Sequence, residues 1–387
     1  MCMHLRFLIM IICALMATGP SGFTAKAMAQ QSESATPASF TIVSEPSGDI
    51  RRALTASKDL AVGESRFWLG YRFDLRSGVR LANITIEHGG GITIYRRHSD
   101  WYEDDDLETA TLRALSKLGD ETAKAKLRQH QIDDDSDNWG VFFLVEARTL
   151  KAVKIRLLNF ARKTAFDGRP VFWLASASTE ASFRFLTGMI SSDKYQKRVV
   201  DAAIFVLSLH EHKDVISYLS GLASGDCYQG IRESAVFWLG NIPAEESVVA
   251  LVELYRHERE RKMKEKLIFS MSRHGSDRSV SVLIDIAKHD TEEVLREKAI
   301  FWLGQMAGRK TLAALGGIVK NDENTAIKTR AVFAISQHPD EHQAADMLME
   351  IARSNPNPEV RRKAMFWLAQ MGDERAVDFF EEILTTQ

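Results

Sequence analysis

A short phrase built around Phe recurs along the second half of this chain, and it limits the possible folds more than any other feature. The phrase reads "IFWLGQM" at residues 300–306, and its aligned Phe recurs at spacings of 33, 32, 32, 32, 32 and 33 residues. The seven aligned positions are Phe172, Phe205, Phe237, Phe269, Phe301, Phe333 and Phe366. A nearly constant interval of this length predicts a stack of similar supersecondary units.

Each unit contains two helical patterns. The last unit begins "PEVRRKAMFWLAQMG", with Pro358 near the start, apolar residues at helical spacing and Gly372 as a stop signal. After the turn "GDE", the segment "RAVDFFEEIL" again places apolar residues at helical spacing. The sequence therefore predicts one helical hairpin in each interval.

The unit "VRRKAMFWLAQMGDERAVDFF" resembles the short HEAT repeat of about 32 residues. The closing segment is also similar to secreted bacterial HEAT-repeat proteins of unassigned function. The resemblance implies a mainly α fold, with an α-solenoid of seven HEAT-like hairpins over residues 166–387. The first copy, "FDGRPVFWLASAS", lacks the leading Val-Arg turn, as an end cap or a domain junction would.

Trp occupies the position after the aligned Phe in every second copy. This position reads Trp173, Val206, Trp238, Ser270, Trp302, Ala334 and Trp367. Because adjacent helical layers pack closely, we expect each indole to lie over a small side chain of the next layer. The structural period is then a pair of repeats.

The chain before the repeats has a different pattern. Apolar residues alternate over 67–73, residues 83–95 read as two strands around a Gly-rich turn, and residues 107–130 have helical spacing. A second hairpin is predicted over residues 141–160. These elements predict a small α+β domain over residues 40–165.

The first residues of the chain read as a targeting segment. A weakly basic start precedes an apolar run over residues 7–17, and "AMAQ" at 27–30 offers small residues before a cut after Ala29. Residues 1–29 are therefore predicted to be a cleaved signal peptide and residues 30–39 a flexible leader. A secreted or periplasmic location follows, with Cys227 as the one remaining cysteine and no internal disulfide.

Charge and hydropathy exclude two classes of partner. Lys and Arg number 50 against 52 Asp and Glu, so the chain lacks the basic excess that nucleic-acid backbones attract. No later stretch reaches 18 consecutive apolar residues, so stable membrane insertion after signal cleavage is not expected.

Two motifs could carry chemistry. Ser-x-His recurs as Ser208 with His210, Ser272 with His274 and Ser336 with His338. Residues two apart on a helix diverge and no orienting carboxylate recurs with them, so a structural role is favoured over a hydrolytic one. Asp133, Asp135 and Asp137 have the first spacings of a calcium loop, but the expected Gly and the closing Glu are missing. We therefore expect no catalytic residue, no metal and no cofactor.

The aligned Phe residues form the candidate binding site. On the last repeat's helix, Phe366 shares a stripe with Arg362, Lys363 and Gln370. The resemblance to designed HEAT-like arrays implies that this stripe lines a concave surface. The predicted partner-binding residues are Phe237, Asn241, Phe269, Arg273, Phe301, Gln305, Phe333, Gln337, Phe366 and Gln370. Alternatively, each Phe packs on its neighbour and only closes the core.

These observations predict an exported, non-catalytic scaffold that binds a protein or peptide on the concave face. Two alternatives remain open. In one, the N-terminal domain binds or senses a ligand and the solenoid is a spacer. In the other, the chain is an enzyme similar to the HEAT-like lyases that attach bilin chromophores.

Overall fold

A computed structural model describes residues 34–35, 40–43, 45, 48–77, 139–159, 164–174 and 177–385 of the chain. The predicted signal peptide (1–29), most of the leader, the strands at 83–95, the helix at 107–130 and the acidic motif at 133–137 lie outside these residues. The described residues divide into two compact units, one ending at Trp238 and the other beginning at Leu239.

The first unit contains a mixed five-stranded sheet. Its strands are Thr41–Ile42 (β2), Arg66–Arg72 (β3), Trp139–Glu146 (β4), Lys151–Asn159 (β5) and Val171–Leu174 (β7), in the order β2-β7-β3-β4-β5. Strands β2, β7 and β3 run parallel, and β3, β4 and β5 are antiparallel neighbours. Ser34–Ala35 and Thr164–Ala165 (β1 and β6) form a separate short antiparallel pair.

The sheet is buried on both faces. The middle five residues of β3 are all buried. On one face Phe67 packs against Phe172 with ring centroids 5.5 Å apart, and on the other face Trp68 packs against Phe166 at 5.6 Å. The predicted hairpin at 141–160 is confirmed, because β4 and β5 pair in antiparallel register.

The structure corrects the interpretation of the first repeat copy. Phe172 and Trp173 lie in strand β7, which pairs in parallel with β3, and not in a helix. The sheet thus extends beyond the predicted domain boundary at residue 165. The physical reason is that "VFWL" is a short run of bulky apolar residues, which suits a buried strand as well as a helix.

Helices make up most of the remaining residues that the structure describes. The first unit contains Ile50–Leu60 (α1), Thr179–Ile190 (α2), Lys197–Ser208 (α3), Val215–Ser224 (α4) and most of Gln229–Leu239 (α5). The second unit contains Glu245–His257 (α6), Arg261–His274 (α7), Asp277–His289 (α8), Glu293–Gly304 (α9), Arg309–Asn321 (α10), Thr325–Ser336 (α11), Glu341–Ser354 (α12), Pro358–Met371 (α13) and Arg375–Thr385 (α14).

The residues that signal helix ends in the sequence cap the helices in the structure. Asn324 and Asn357 accept hydrogen bonds from the first backbone amides of α11 and α13, and Pro358 occupies the first turn of α13. Gly275 and Gly372 end α7 and α13 in the left-handed conformation, with φ of 69° and 72°.

We call the helices that carry an aligned Phe (α3, α5, α7, α9, α11 and α13) the Phe-bearing helices, and those that follow them the companion helices. In the second unit, successive Phe-bearing helices pack on one another: α7 on α9, α9 on α11 and α11 on α13. Companion helices pack against the Phe-bearing helices in the same way, as α8 does on α9 and α12 on α13. This is the layered arrangement that the repeat predicted.

Two small residues of the alternation lie against glycines of the preceding Phe-bearing segments. Ser270 and Ala334 are buried and lie against the backbone of Gly240 and Gly304 in the preceding Phe-bearing segment. A Cβ placed on Gly304 would lie 2.6 Å from the Ala334 carbonyl oxygen and 2.8 Å from its Cβ. The small side chains therefore allow two backbones to approach closely. The indoles pack on Phe rings, as described below, and their placement over small side chains stays a prediction.

Candidate functional site

The aligned phenylalanines of the second unit form one row, which we call the phenylalanine row. Its members are Phe269, Phe301, Phe333 and Phe366. The first three are half-buried, and the last is 52% exposed. The two alternatives from the sequence analysis are therefore both represented, because the rings contribute to packing and still present an edge or face to solvent.

Each Trp holds two phenylalanines in place. Trp302 lies 4.8 Å from Phe269 of the preceding Phe-bearing helix and 5.0 Å from its own neighbour Phe301. Trp367 repeats this arrangement, with 4.8 Å to Phe333 and 5.0 Å to Phe366. Contacts of this kind contribute about 0.5–1.5 kcal/mol beyond burial. We call one Phe-bearing helix with its companion helix a tier. The rings are thus fixed in pairs, and each pair spans two successive tiers.

The same arrangement occurs in the first unit. Trp238 is buried and packs 4.5 Å from Phe205 and 5.0 Å from Phe237. Phe205 is itself buried, and Phe237 is half-buried. Of the predicted binding residues, Phe237 is thus the one that belongs to this unit.

Polar residues follow each aligned Phe by one helical turn. Arg273 and Gln370 are exposed, whereas Asn241, Gln305 and Gln337 are half-buried. The Arg273 guanidinium donates to the Asn241 side-chain oxygen at 3.4 Å, which links adjacent tiers. The row therefore has a polar margin, and the role of these residues in partner binding stays a prediction.

The Ser-x-His pairs do not form hydrogen-bonded pairs. Each Ser donates to the carbonyl oxygen of the aligned Phe three residues earlier, at 2.7 Å for Ser208 and Ser272 and 2.8 Å for Ser336. His274 Nε2 lies 3.1 Å from the carbonyl oxygen of Ala244, and His338 Nε2 lies 3.3 Å from that of Gly308. Ala244 and Gly308 each precede a companion helix, so these histidines join neighbouring repeats.

His210 belongs to a buried polar chain in the first unit. Its Nδ1 lies 2.8 Å from the Val206 carbonyl oxygen, and its Nε2 lies 2.6 Å from Ser182 Oγ. Tyr71 completes the chain, with its hydroxyl 2.8 Å from Ser182 Oγ. Because a carbonyl only accepts, Nδ1 carries the proton, Ser182 donates to Nε2, and Tyr71 donates to Ser182.

Burial governs the protonation of this chain. Desolvation lowers the pKa of His210 to about 4, against a smaller opposing contribution from the Val206 carbonyl. Desolvation also raises the pKa of Tyr71 well above its usual value. The ring of His210 stacks on Phe73 with centroids 4.3 Å apart, and His210 is fully buried. The group is thus a neutral structural link between the sheet and helices α2 and α3.

Three arginines that the sequence analysis did not single out have a recurring role. Arg232 and Arg296 donate to the carbonyl oxygens of Ala223 and Ala287, near the ends of companion helices α4 and α8, at 2.9 and 3.1 Å. Arg361 donates to the Asn355 carbonyl oxygen at 2.7 Å, just after α12. All three lie five residues before the Phe of a Trp-containing copy. Their spacing of 64 and 65 residues could have identified these arginines from the sequence.

Among the described residues, no group of His, Cys, Asp and Glu is arranged to hold a metal ion. Within the same residues, no helix combines the length and apolar composition needed to cross a bilayer. Cys227 is half-buried, and desolvation raises the pKa of its thiol. The acidic motif at 133–137 lies outside the part of the chain that the structure describes.

Comparisons with known proteins identify the helical repeats. The family model described as HEAT repeats matches residues 219–304, 280–369 and 312–387. A search of curated proteins gave no match to this chain.

A search of the solved structures also gave matches. The complex of CpcE and CpcF of phycocyanin lyase from Nostoc sp. PCC7120 is 20% identical, covers 40% of this chain and 99% of its own, and has a TM-score of 0.30. Human deoxyhypusine hydroxylase in complex with glycerol is 14% identical over 53% of this chain and 90% of its own, with a TM-score of 0.23. Kap121p bound to Ste12p is 13% identical over 54% of this chain and 24% of its own, with a TM-score of 0.34.

At these identities and TM-scores, the structural likenesses support no conclusion about this chain. The family match and the stacked helical pairs agree on the architecture of the second half of the chain. Residues 219–387 of this chain therefore consist of HEAT repeats.

Proposed function

We propose that this chain is a non-catalytic scaffold that binds a protein partner along the phenylalanine row. The observation that carries the proposal is the series of rings on successive helices, three half-buried and one 52% exposed. Repeat arrays offer extended surfaces that suit a protein or peptide better than a small molecule. The expectation that this surface is concave is part of the proposal.

The bracing of the rings supports a binding role. Because Trp302 and Trp367 each contact two phenylalanines, the exposed ring edges lose little further side-chain entropy when a partner covers them. Aromatic residues held in this way are typical of the residues that dominate binding energy at interfaces.

The contacts of the Ser-x-His motif support the non-catalytic part of the proposal. A hydrolytic pair requires the hydroxyl and the imidazole within hydrogen-bonding reach of each other. Here each of the three serines donates to a backbone carbonyl of its own helix, and each histidine contacts a neighbouring repeat. These contacts account for both residues through packing alone.

Crosslinking in the native host tests the binding proposal. The full chain is crosslinked in cell extract, and the captured proteins are quantified for the wild type, Phe301→Ala and Phe366→Ser. We expect both substitutions to reduce capture of the same partner by at least about tenfold, because each removes an aromatic contact at the surface. Unfolding curves of the purified variants confirm that the fold is intact.

Val377→Ser is the matched control. Val377 is 59% exposed on companion helix α14, so its replacement removes a similar apolar surface outside the phenylalanine row. Capture should be unchanged for this variant. Undiminished capture by folded Phe301→Ala and Phe366→Ser would overturn the assignment of the binding face.

We propose in addition that the chain is exported. The apolar run at residues 7–17 and the small residues at 27–29 support this proposal, since both are typical of a cleaved secretory signal.

A further inference from the structure

The charges beside the phenylalanine row follow a pattern of their own. Residues four and three positions before each aligned Phe lie on the same stripe of the helix. They read Glu265 and Lys266 in α7, Glu297 and Lys298 in α9, Thr329 and Arg330 in α11, and Arg362 and Lys363 in α13. The acid-base order is thus kept in two helices and lost in the last two.

Where the order is kept, the charges neutralise one another between tiers. Lys298 Nζ lies 3.2 Å from a Glu265 carboxylate oxygen, and Arg330 Nε lies 3.4 Å from one of Glu297. In each pair the acid belongs to one helix and the base to the next. These pairs leave little net charge along the middle of the row.

At the C-terminal end the neutralisation stops. Thr329 occupies the position of the acid in α11, and its hydroxyl donates to the Ala326 carbonyl oxygen at 2.8 Å. Lys363 therefore has no acid at that position in the preceding tier, and Arg362 takes the acid's place in α13. Across the residues that the structure describes, no carboxylate lies within ion-pair distance of either cation. Glu359, one turn earlier in α13, is the acid nearest in sequence.

The same place carries the most exposed ring of the row. Phe366 is 52% exposed and follows Lys363 by one helical turn. Its ring is supported by Trp367, which in turn packs on Phe333. We call Arg362, Lys363 and Phe366 the basic end of the row. It joins an apolar surface to two exposed cations on one helix.

We propose that the basic end binds a protein segment in which an apolar anchor is flanked by acidic residues. The anchor would cover the Phe366 ring, and carboxylates would pair with Arg362 and Lys363. This inference rests on the proposed function and extends it by naming the chemistry of the partner. An acidic segment is favoured over an anionic membrane, because stable membrane binding generally needs more than two cations.

Peptide display provides the test. A library of random peptides is selected on the immobilised full chain, and the selected peptides are then measured against two variants by fluorescence anisotropy. The first variant is the charge reversal Arg362→Glu with Lys363→Glu. The control is Lys288→Glu with Lys320→Glu, which changes the net charge equally on the exposed surface of companion helices α8 and α10.

We expect the selected peptides to be acidic and to contain Leu, Phe or Trp. Their affinity should fall by about tenfold or more for the charge reversal and stay within about twofold of wild type for the control, since exposed ion pairs contribute about 0.2–1 kcal/mol each and reversal adds repulsion. Binding should also weaken as salt is raised from about 0.05 to 0.5 M.

Other outcomes separate this inference from the function on which it rests. Neutral or basic peptides that lose binding on Phe366→Ser but not on the charge reversal would overturn the acidic partner and leave the binding face standing. Peptides insensitive to both changes would overturn both proposals. The acidic segment would also be contradicted by a third result. In that result no peptide binds, the chain sediments with vesicles of anionic lipid, and the charge reversal reduces this sedimentation.

Discussion

His210 shows how far a single residue can depart from the environment its sequence suggests. From the sequence it is one of three equivalent histidines near helix ends, beside His274 and His338. In the structure it stacks on Phe73 and accepts a hydrogen bond from Ser182. Neighbours distant in sequence, and not the local motif, decide its protonation.

This environment predicts a pH dependence of stability. An unfolded His has a pKa of about 6.5, and burial lowers the pKa of His210 to about 4, so the unfolded chain takes up the proton first as pH falls. Stability is therefore full above about pH 6.5 and declines as pH falls toward 4, by about 1 kcal/mol between pH 7 and 5.5. Urea unfolding at several pH values measures this loss.

His210→Gln is the comparison variant for that experiment. Its free energy of unfolding is expected to be lower at pH 7, because the buried chain loses an ideal partner, but to change less between pH 7 and 5.5. This window avoids most carboxylate titration. An identical pH slope in the two proteins would show that His210 is not the group responsible.

The helices follow a period of two repeats, and hydrogen bonds as well as packing maintain it. In Trp-containing copies an Arg, such as Arg296, donates to a carbonyl near the end of the preceding companion helix. In the other copies a His, such as His338, contacts the residue just before the preceding companion helix. The Arg contacts hold the C-terminal ends of α4, α8 and α12, and the His contacts hold the N-terminal ends of α6 and α10. These contacts therefore join each of these companion helices to the next unit at one end, and a single hairpin lacks them.

Close helix approach at Gly304 predicts an unusual response to Ala. Gly304→Ala places a methyl group against the backbone and Cβ of Ala334, so we expect a loss of about 1–3 kcal/mol in the free energy of unfolding. The control is Gly317→Ala in α10, where no atom lies within 4 Å of the new Cβ. There the higher helix propensity of Ala should stabilise the protein by up to about 1 kcal/mol.

Denaturant unfolding of the two variants against wild type measures the contrast. Opposite signs for the two substitutions would support the packing of α9 on α11. A stabilising effect at Gly304 would instead show that the two helices do not approach this closely, and the account of the small residues Ser270 and Ala334 would fail with it.

At the scale of the whole molecule, the chain combines a mixed sheet with a helical repeat array. The described sheet runs to Leu174, and helices occupy most of the chain from Thr179 onward. HEAT repeats are shown over residues 219–387, and the hairpin of β4 and β5 confirms part of the predicted α+β domain. The partner and the location of the protein stay proposals.

Export makes a prediction about the mature chain. If residues 1–29 are a signal peptide, the protein purified from its native host should begin at Gln30, because cleavage follows Ala29. N-terminal sequencing or intact mass measurement determines this. Ala29→Leu removes the small residue at the cleavage site and should leave the precursor uncut, whereas Ala38→Leu, beyond the site, should be processed normally. A mature protein that retains Met1 would contradict export by cleavage.

The repeat register, the helix ends and the paired helices could be read from sequence, because they depend on local signals that recur every 32 or 33 residues. Caps such as Asn357 with Pro358, and the stop at Gly372, act through neighbours within one turn. A wrong helix assignment would have to be wrong at the same position of every copy, so repetition strengthened each local prediction. The first copy had no such support, and "VFWL" at 171–174 was assigned to a helix in error.

Tertiary structure decided what local signals could not. Strand β7 exists because β3 and β2 supply its hydrogen-bond partners, and these lie about 100 residues or more away in sequence. The exposure of Phe366 was visible only in the structure. The charges of Arg362 and Lys363 are left without a neutralising acid from the preceding tier, because Thr329 stands where α7 and α9 have Glu. Spacing fixed which residues share a helical face, whereas burial, ion pairing and protonation depended on which distant residues came to lie against that face.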